Sequence, residues 1–358
     1  MVAVVMLSGG ADNGTLSLLA TLGISSLFLF AGLEIDVPGL RRGLRALVIH
    51  LGLRSLTLAA VAWGVVHWLG MSWQTALLLA LAVLTPSTGF ILESLPRLGL
   101  DEQERFWVTT KAIGGEILAL VVLFVVLQSG SMERLAWSTA ALAAMLFVLP
   151  LLFIVLVRYV VPYAAGSEFS LLVMVGLLAA YLTKQLGVYY LVGAFVAGLV
   201  ARLLHERIPE LASTANLHAV KLFASFFVPF YFFYSGMNVP TGALQWNALV
   251  LGLALTGVAL PLRVGLIWAQ RRFLFHEDSA SSRRVALALA PTLIFTLVLA
   301  TILRERFGLP ADWYGALLVY AALSTLLPSL TRTFSLDASD VGAALAQRTA
   351  ASTNARSA

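Results

Sequence analysis

Residues 76–95 read ALLLALAVLTPSTGFILESL, and the sequence TPSTG at 85–89 interrupts this apolar stretch. A second stretch, 285–303, reads VALALAPTLIFTLVLATIL and contains APT at 290–292. Proline removes a backbone N–H and kinks or breaks a helix, and such backbone is tolerated at membrane depth only where protein or a water-filled cavity covers it. Two interrupted helices in matching halves are typical of transporters built from inverted repeats. A proline kink used only for packing is the alternative.

The composition of the rest of the chain is that of a membrane protein. Of 358 residues, 60% are hydrophobic and 11% are charged, and the mean hydropathy is +0.92. Soluble proteins have about 25% charged residues. This composition excludes a soluble enzyme, a disordered chain and a nucleic-acid-binding module. Cysteine is absent, and no His/Glu pair has metal-ligand spacing, so we predict neither a cofactor nor a resident metal.

Segments of about 20 apolar residues are long enough to cross a bilayer as helices. We predict an all-α polytopic protein with eleven spans, followed at 333–358 by a short, flexible, polar cytoplasmic tail. The candidate spans are 16–34, 44–69, 74–95, 106–127, 136–157, 168–186, 188–204, 216–237, 243–268, 285–303 and 313–332.

Basic residues are distributed unevenly between the loops. One alternate set of loops, together with the start of the tail, contains thirteen Lys or Arg, and the other set contains four. An excess of Lys and Arg marks the cytoplasmic side of a membrane protein. We therefore predict a multi-pass protein of the cell (inner) membrane, with its N-terminus outside and its C-terminus in the cytoplasm.

Glu116 is the acidic residue placed deepest in a candidate span, near the middle of 106–127. A charge at this depth costs about 2.5–3.5 kcal/mol on insertion scales, so it requires a reason. The preceding Gly114 and Gly115 have no side chains and allow close approach of a backbone or an ion. A buried carboxylate that trades a proton for a cation is one interpretation. A protonated glutamate that hydrogen-bonds between helices is the other.

Three basic residues also lie inside candidate spans. Arg263 is eight residues from Arg271, which is about 12 Å along a helix, so snorkelling explains its position only in part and Glu116 is a candidate partner. Lys111 is close enough to the cytoplasmic end of its span to snorkel. Arg54 is also deep, and the sequence assigns it no role.

Seven features follow one another along the chain. They are FLFAGLEID at 28–36, TPST at 85–88, GEILAL at 115–120, LVGAFVAG at 191–198, FVPFYFFYSGM at 227–237, Arg263, and PT at 291–292. Each feature is weak alone, but the ordered set is specific, and it resembles a known family, the sodium/hydrogen exchanger-like monovalent cation:proton antiporters, the branch that includes the Kef and NapA proteins.

The resemblance implies a fold and an activity. The fold has a core domain, in which two broken helices cross beside an ion site, and a dimerisation domain, usually in a homodimer. The activity is exchange of Na⁺ or K⁺ for H⁺ across the membrane. By position, the resemblance makes Glu116 the ion- and proton-binding acid and Arg263 its charge partner. It places oxygen ligands at Thr85, Ser87 and Thr88, and the second broken helix at Pro291 and Thr292.

Two departures from the family pattern affect this expectation. The family has one or two further helices before the segment at 28–36, so residues 1–332 are expected to form a transmembrane domain shortened at its N-terminus. The acidic pair of the family is here Gly115-Glu116, which leaves a single carboxylate. One carboxylate beside an arginine suits one-for-one, electroneutral exchange.

Two other functions are compatible with the sequence. One is a transporter of similar architecture that couples Na⁺ to an organic anion, which requires a larger cavity and helix N-termini facing the anion. The other is a degenerate membrane subunit or sensor that does not transport, which the shortened N-terminus favours.

Overall fold

The computed structural model describes residues 13–35, 38–39, 43–164, 166–205, 208, 211 and 213–328. These residues form helices and connecting turns, and none of them is in a β-strand. The tail predicted at 333–358 lies outside the described residues, as do residues 1–12.

Thirteen α-helices follow one another along the described chain, and a π-helical turn, Gln270–Leu274, continues α10. The helices are α1 Asn13–Leu33, α2 Leu44–Leu69, α3 Trp73–Leu84, α4 Thr88–Ser94, α5 Glu102–Gln128, α6 Met132–Tyr159, α7 Glu168–Gln185, α8 Tyr190–Leu203, α9 Thr214–Met237, α10 Trp246–Ala269, α11 Ser279–Ala288, α12 Leu293–Phe307 and α13 311–328.

Helix length and hydropathy give fewer membrane spans than the eleven predicted from the sequence. Within the described residues, eight helical segments are long and apolar enough to cross a membrane, and the bent pair α11–α12 makes a ninth. Helix α8 is apolar but has only 14 residues. The multi-pass membrane architecture is therefore confirmed, and the count of eleven spans stays a prediction.

Side-chain caps fix where several helices begin. Asp101 and Glu104 form a reciprocal capping box at the start of α5, which satisfies N–H groups that the first helical turn leaves free. This box explains why α5 begins at Glu102, four residues before the predicted start at 106. Asp278 caps α11 by accepting from the backbone N–H groups of Ala280 and Ser281.

Both predicted interruptions are present. Helix α3 ends at Leu84 and α4 begins at Thr88, with extended backbone at Thr85 and Ser87. Helices α11 and α12 are separated by 289–292 and are bent by 46° relative to each other. Proline stands in each gap, where no helical N–H is required of it.

Most helices pack around one continuous core. Helix α1 packs against α8 and α9, and α7 packs against α8; α3 packs against α2, α5 and α12, and α10 packs against α11. Gly32 and Gly198 lie where α1 and α8 approach most closely, and a Cβ on either would overlap the backbone of the other helix. These two glycines therefore allow close packing of α1 and α8.

Candidate functional site

The two interrupted helices cross, and polar contacts join them at the crossing. The backbone N–H of Ser87 donates to the carbonyl oxygen of Pro291 at 2.8 Å. The hydroxyl of Thr296, on α12, donates to the carbonyl oxygen of Ala82, on α3, at 2.7 Å. These bonds satisfy backbone groups that the breaks release from regular helix, as a bilayer interior requires.

Hydroxyl groups on the first break are buried and only partly satisfied. Thr85 and Thr88 are fully buried, and Ser87 is buried. The Oγ1 atoms of Thr85 and Thr88 have no hydrogen-bond partner. In the second break the hydroxyl of Thr292 is bonded to that of Ser324 at 2.9 Å. The first break therefore offers free oxygen atoms, whereas the Thr292 hydroxyl is already paired.

Glu116 lies beside the first break. It is 4% exposed, and it stands near the middle of α5, fourteen residues after Glu102 and twelve before Gln128. Helix α5 packs against both α3 and α4. The Thr88 hydroxyl and the Arg54 guanidinium lie near its carboxyl, but the Thr88 hydroxyl forms no hydrogen bond with it and Arg54 forms no ion pair with it. Its Oε2 atom has no hydrogen-bond partner, which is an expensive state for a buried carboxyl oxygen.

Arg263 is buried, but this structure does not bring it into an ion pair with Glu116. Its guanidinium donates to the carbonyl oxygens of Leu289 and Ala290, both at 2.9 Å, and to the hydroxyl of Tyr320. Among the described residues the ion pairs are Arg271 with Glu277 and Arg284 with Glu104. Arg263 thus places its positive charge at the C-terminal end of α11, where the helix dipole is negative.

Arg54 is the functional candidate that the sequence left without a role. Its Nη2 donates to the carbonyl oxygen of Leu84 at 3.1 Å, at the C-terminal end of α3. Its guanidinium also occupies the space beside Gly115, and a Cβ on that glycine would overlap it. The group therefore fills the position left empty by the missing side chain next to Glu116.

The two arginines occupy equivalent places. Each comes from the long helix that precedes the broken pair, Arg54 from α2 and Arg263 from α10, and each binds carbonyl oxygens at the end of the first half-helix. A search of the sequence for two deep arginines, one before each proline break, could have found this pairing.

Crossed, interrupted helices beside one buried carboxylate are typical of secondary transporters. The family model described as "Sodium/hydrogen exchanger, transmembrane" matches residues 3–336. The chain belongs to this family, which confirms the resemblance drawn from the motifs, and cation:proton antiport is the activity that membership supports.

A solved structure has the same fold. The structure of the sodium/proton antiporter MjNhaP1 from Methanocaldococcus jannaschii matches with a TM-score of 0.64 at 15% identity, over 90% of this chain and 86% of that one. At this identity the match shows the fold alone, and it agrees with the predicted antiporter architecture. No curated protein matches the chain by sequence.

Proposed function

We propose that the protein exchanges Na⁺ or K⁺ for H⁺ at Glu116, which holds a proton in one half of the cycle and the cation in the other. The observation that carries this proposal is a buried, unpaired carboxyl oxygen on a helix that packs against both halves of the first broken helix, where two threonine hydroxyls are also buried and unpaired. Hard cations prefer oxygen ligands. Thr85, Ser87 and Thr88 would supply hydroxyl or backbone oxygens beside the carboxylate.

The arginines would keep the empty site stable. A carboxylate with neither proton nor metal ion is costly when buried, and a nearby fixed cation offsets that cost. The Arg54 guanidinium lies beside Gly115, the neighbour of Glu116, although the two side chains form no ion pair in this conformation. We propose Arg54 as the resting charge partner. Arg263, the partner predicted from the sequence, would take that role only in a conformation in which it releases the end of α11.

We also propose the wider arrangement that the resemblance implies. Residues 1–332 would form the transporting unit of a homodimer in the cell (inner) membrane, surrounded by lipid, with the N-terminus outside. Helices α2, α6, α9 and α10 present many exposed apolar side chains, which suits contact with lipid or with a second copy.

Proton movement in inverted vesicles tests the proposed activity. Addition of Na⁺ or K⁺ to acidified vesicles that contain the protein should release protons from the lumen, and choline should not. Comparison of the proton release caused by Na⁺ and by K⁺ at equal concentration then identifies the transported cation. A well-folded sample with no cation-dependent proton flux would contradict the proposal and favour a subunit that does not transport.

Membrane voltage should leave the exchange rate unchanged. A single carboxylate that carries either one proton or one monovalent cation moves the same charge in both directions, because the arginines stay charged throughout. We would measure Na⁺/H⁺ exchange in proteoliposomes at imposed potentials of opposite sign. Equal rates are expected, and a clear difference would rule out one-for-one exchange.

A further inference from the structure

A small cavity separate from the Glu116 carboxyl lies among α2, α5 and α10, next to the ends of α3 and α11. Its volume is about 50 Å³. Half of its lining residues are polar and half are apolar. They are His50, Leu53, Arg54, Thr57, Leu84, Pro86, Lys111, Arg263, Leu266, Ile267, Gln270 and Leu289.

The ionisable residues that line this cavity are all basic. It contains two arginines, one lysine and one histidine, and no aspartate or glutamate. Of the three Arg and Lys residues, Arg54 has Glu116 nearby and Lys111 has Glu277 nearby, but neither Arg263 nor Lys111 belongs to an ion pair among the described residues. Buried cations that lack an ion-pair partner are costly in a low-dielectric interior. The cavity therefore has an excess of positive charge close to the transport site.

Lys111 contributes to this excess because it does not snorkel to water, contrary to the prediction from sequence. It is 1% exposed, and its Nζ donates to Oε1 of Gln270 at 3.2 Å. Helix α10 and the π-helical turn that contains Gln270 shield Lys111 from water. The position of Lys111 along its own helix does not reveal this shielding by another part of the chain.

Gln270 presents a free donor at the cavity. Its Oε1 lies 2.8 Å from Nδ1 of His50 as well as near Lys111. Because a lysine ammonium can only donate, the amide atom facing it must be the oxygen. The amide nitrogen is then left without a partner, although the residue is 2% exposed. A buried N–H₂ group with no acceptor is destabilising.

We propose that this cavity binds one small monovalent inorganic anion, for which chloride is the probe. An anion would accept from the Gln270 amide and would offset the charges of Lys111 and the two arginines. A volume of about 50 Å³ favours a single small ion over a bulky organic anion or a lipid phosphodiester with its glycerol. This inference concerns binding and does not rest on the proposed function.

Thermal unfolding of the purified protein in detergent tests the site. Chloride or bromide would replace gluconate at constant ionic strength, so that general screening does not change. A ligand that binds only the folded state raises its stability in a saturable way. We expect a saturating rise of the unfolding midpoint that reaches about 2 °C at a tenfold excess of the anion over its dissociation constant, given the unfolding entropy of a chain of 358 residues.

Two variants tie the effect to the cavity. Gln270→Glu supplies a tethered carboxylate in place of the free amide, so it should unfold at the same temperature in gluconate and in chloride. Gln185→Glu makes the same change at an exposed position at the end of α7 and should keep the chloride response. If Gln270→Glu does not fold, Lys111→Gln should weaken the response.

Two results of the thermal-unfolding experiment would overturn the proposal. One is a midpoint that does not respond to chloride or bromide in the unaltered protein. The other is an equal response in the unaltered protein and in the cavity variants, because the anion would then act elsewhere. Native mass spectrometry after delipidation gives a separate check, because a lipid that stays bound is detected by its mass. A bound lipid that is present in the unaltered protein and absent from Gln270→Glu would be a third result against an inorganic anion.

Discussion

Replacement of Glu116 by Gln is expected to reduce cation-dependent proton flux to the level of protein-free vesicles. The amide has nearly the same shape as the carboxyl and can still face Thr88, but it can neither release a proton nor balance the charge of a bound cation. Among the acidic side chains that the structure describes, the buried ones are Glu116 and Glu104, and Glu104 is already paired with Arg284 at the start of α5. We would measure the flux in inverted vesicles at matched protein content.

Two further variants make this result specific. Glu133→Gln removes an exposed carboxylate from the first turn of α6 and should leave the flux unchanged. Glu116→Asp keeps the charge but shortens the side chain, so it should transport with a weaker apparent affinity for the cation. If Glu116→Gln transports like the unaltered protein, the site has been assigned to the wrong residue.

Replacement of Arg54 by Gln is expected to shift the pH dependence of transport. A positive charge beside a carboxylate favours its ionised form and repels a metal cation. In Arg54→Gln the site should therefore hold both the proton and the metal ion more tightly. The pH of half-maximal transport should rise by about one unit, which is the lower end of the effect of one nearby charge, and the KM for the cation at alkaline pH should fall.

Gly115→Ala should give a similar shift without changing the arginine itself. A methyl group there would overlap the Arg54 guanidinium, and the flexible arginine is the group that can move away. Gly52→Ala is the matched control, because a Cβ on Gly52 meets nothing within 4 Å; its profile should be unchanged. Unaltered pH profiles in both Arg54→Gln and Gly115→Ala would show that Arg54 does not act on the site.

The sequence predicted well those features that carry a large free-energy cost within a short stretch of chain. Proline cannot continue a helix, and a charge within an apolar span is rare, so the two breaks and Glu116 are visible in the sequence without any knowledge of packing.

The features that the sequence missed depend on which side chain reaches across between helices. Arg54 and Arg263 both lie deep in their spans, and spacing along the chain gives no means of deciding which one faces Glu116. The choice is made by the carbonyl groups at the ends of α3 and α11, which bind one arginine each. Lys111 likewise has a route to water along its own helix, but Gln270, 159 residues later in the chain, covers and binds it.

The most direct test of the account is proton release by the purified protein when a cation binds. Na⁺ or K⁺ would be added to weakly buffered protein in detergent, with a pH indicator, near the pH of half-maximal transport. The account predicts saturable release of protons, up to about one per chain because a single carboxyl exchanges, and none from Glu116→Gln. Release of equal size from both proteins, or cation binding without release, would contradict exchange at this carboxyl.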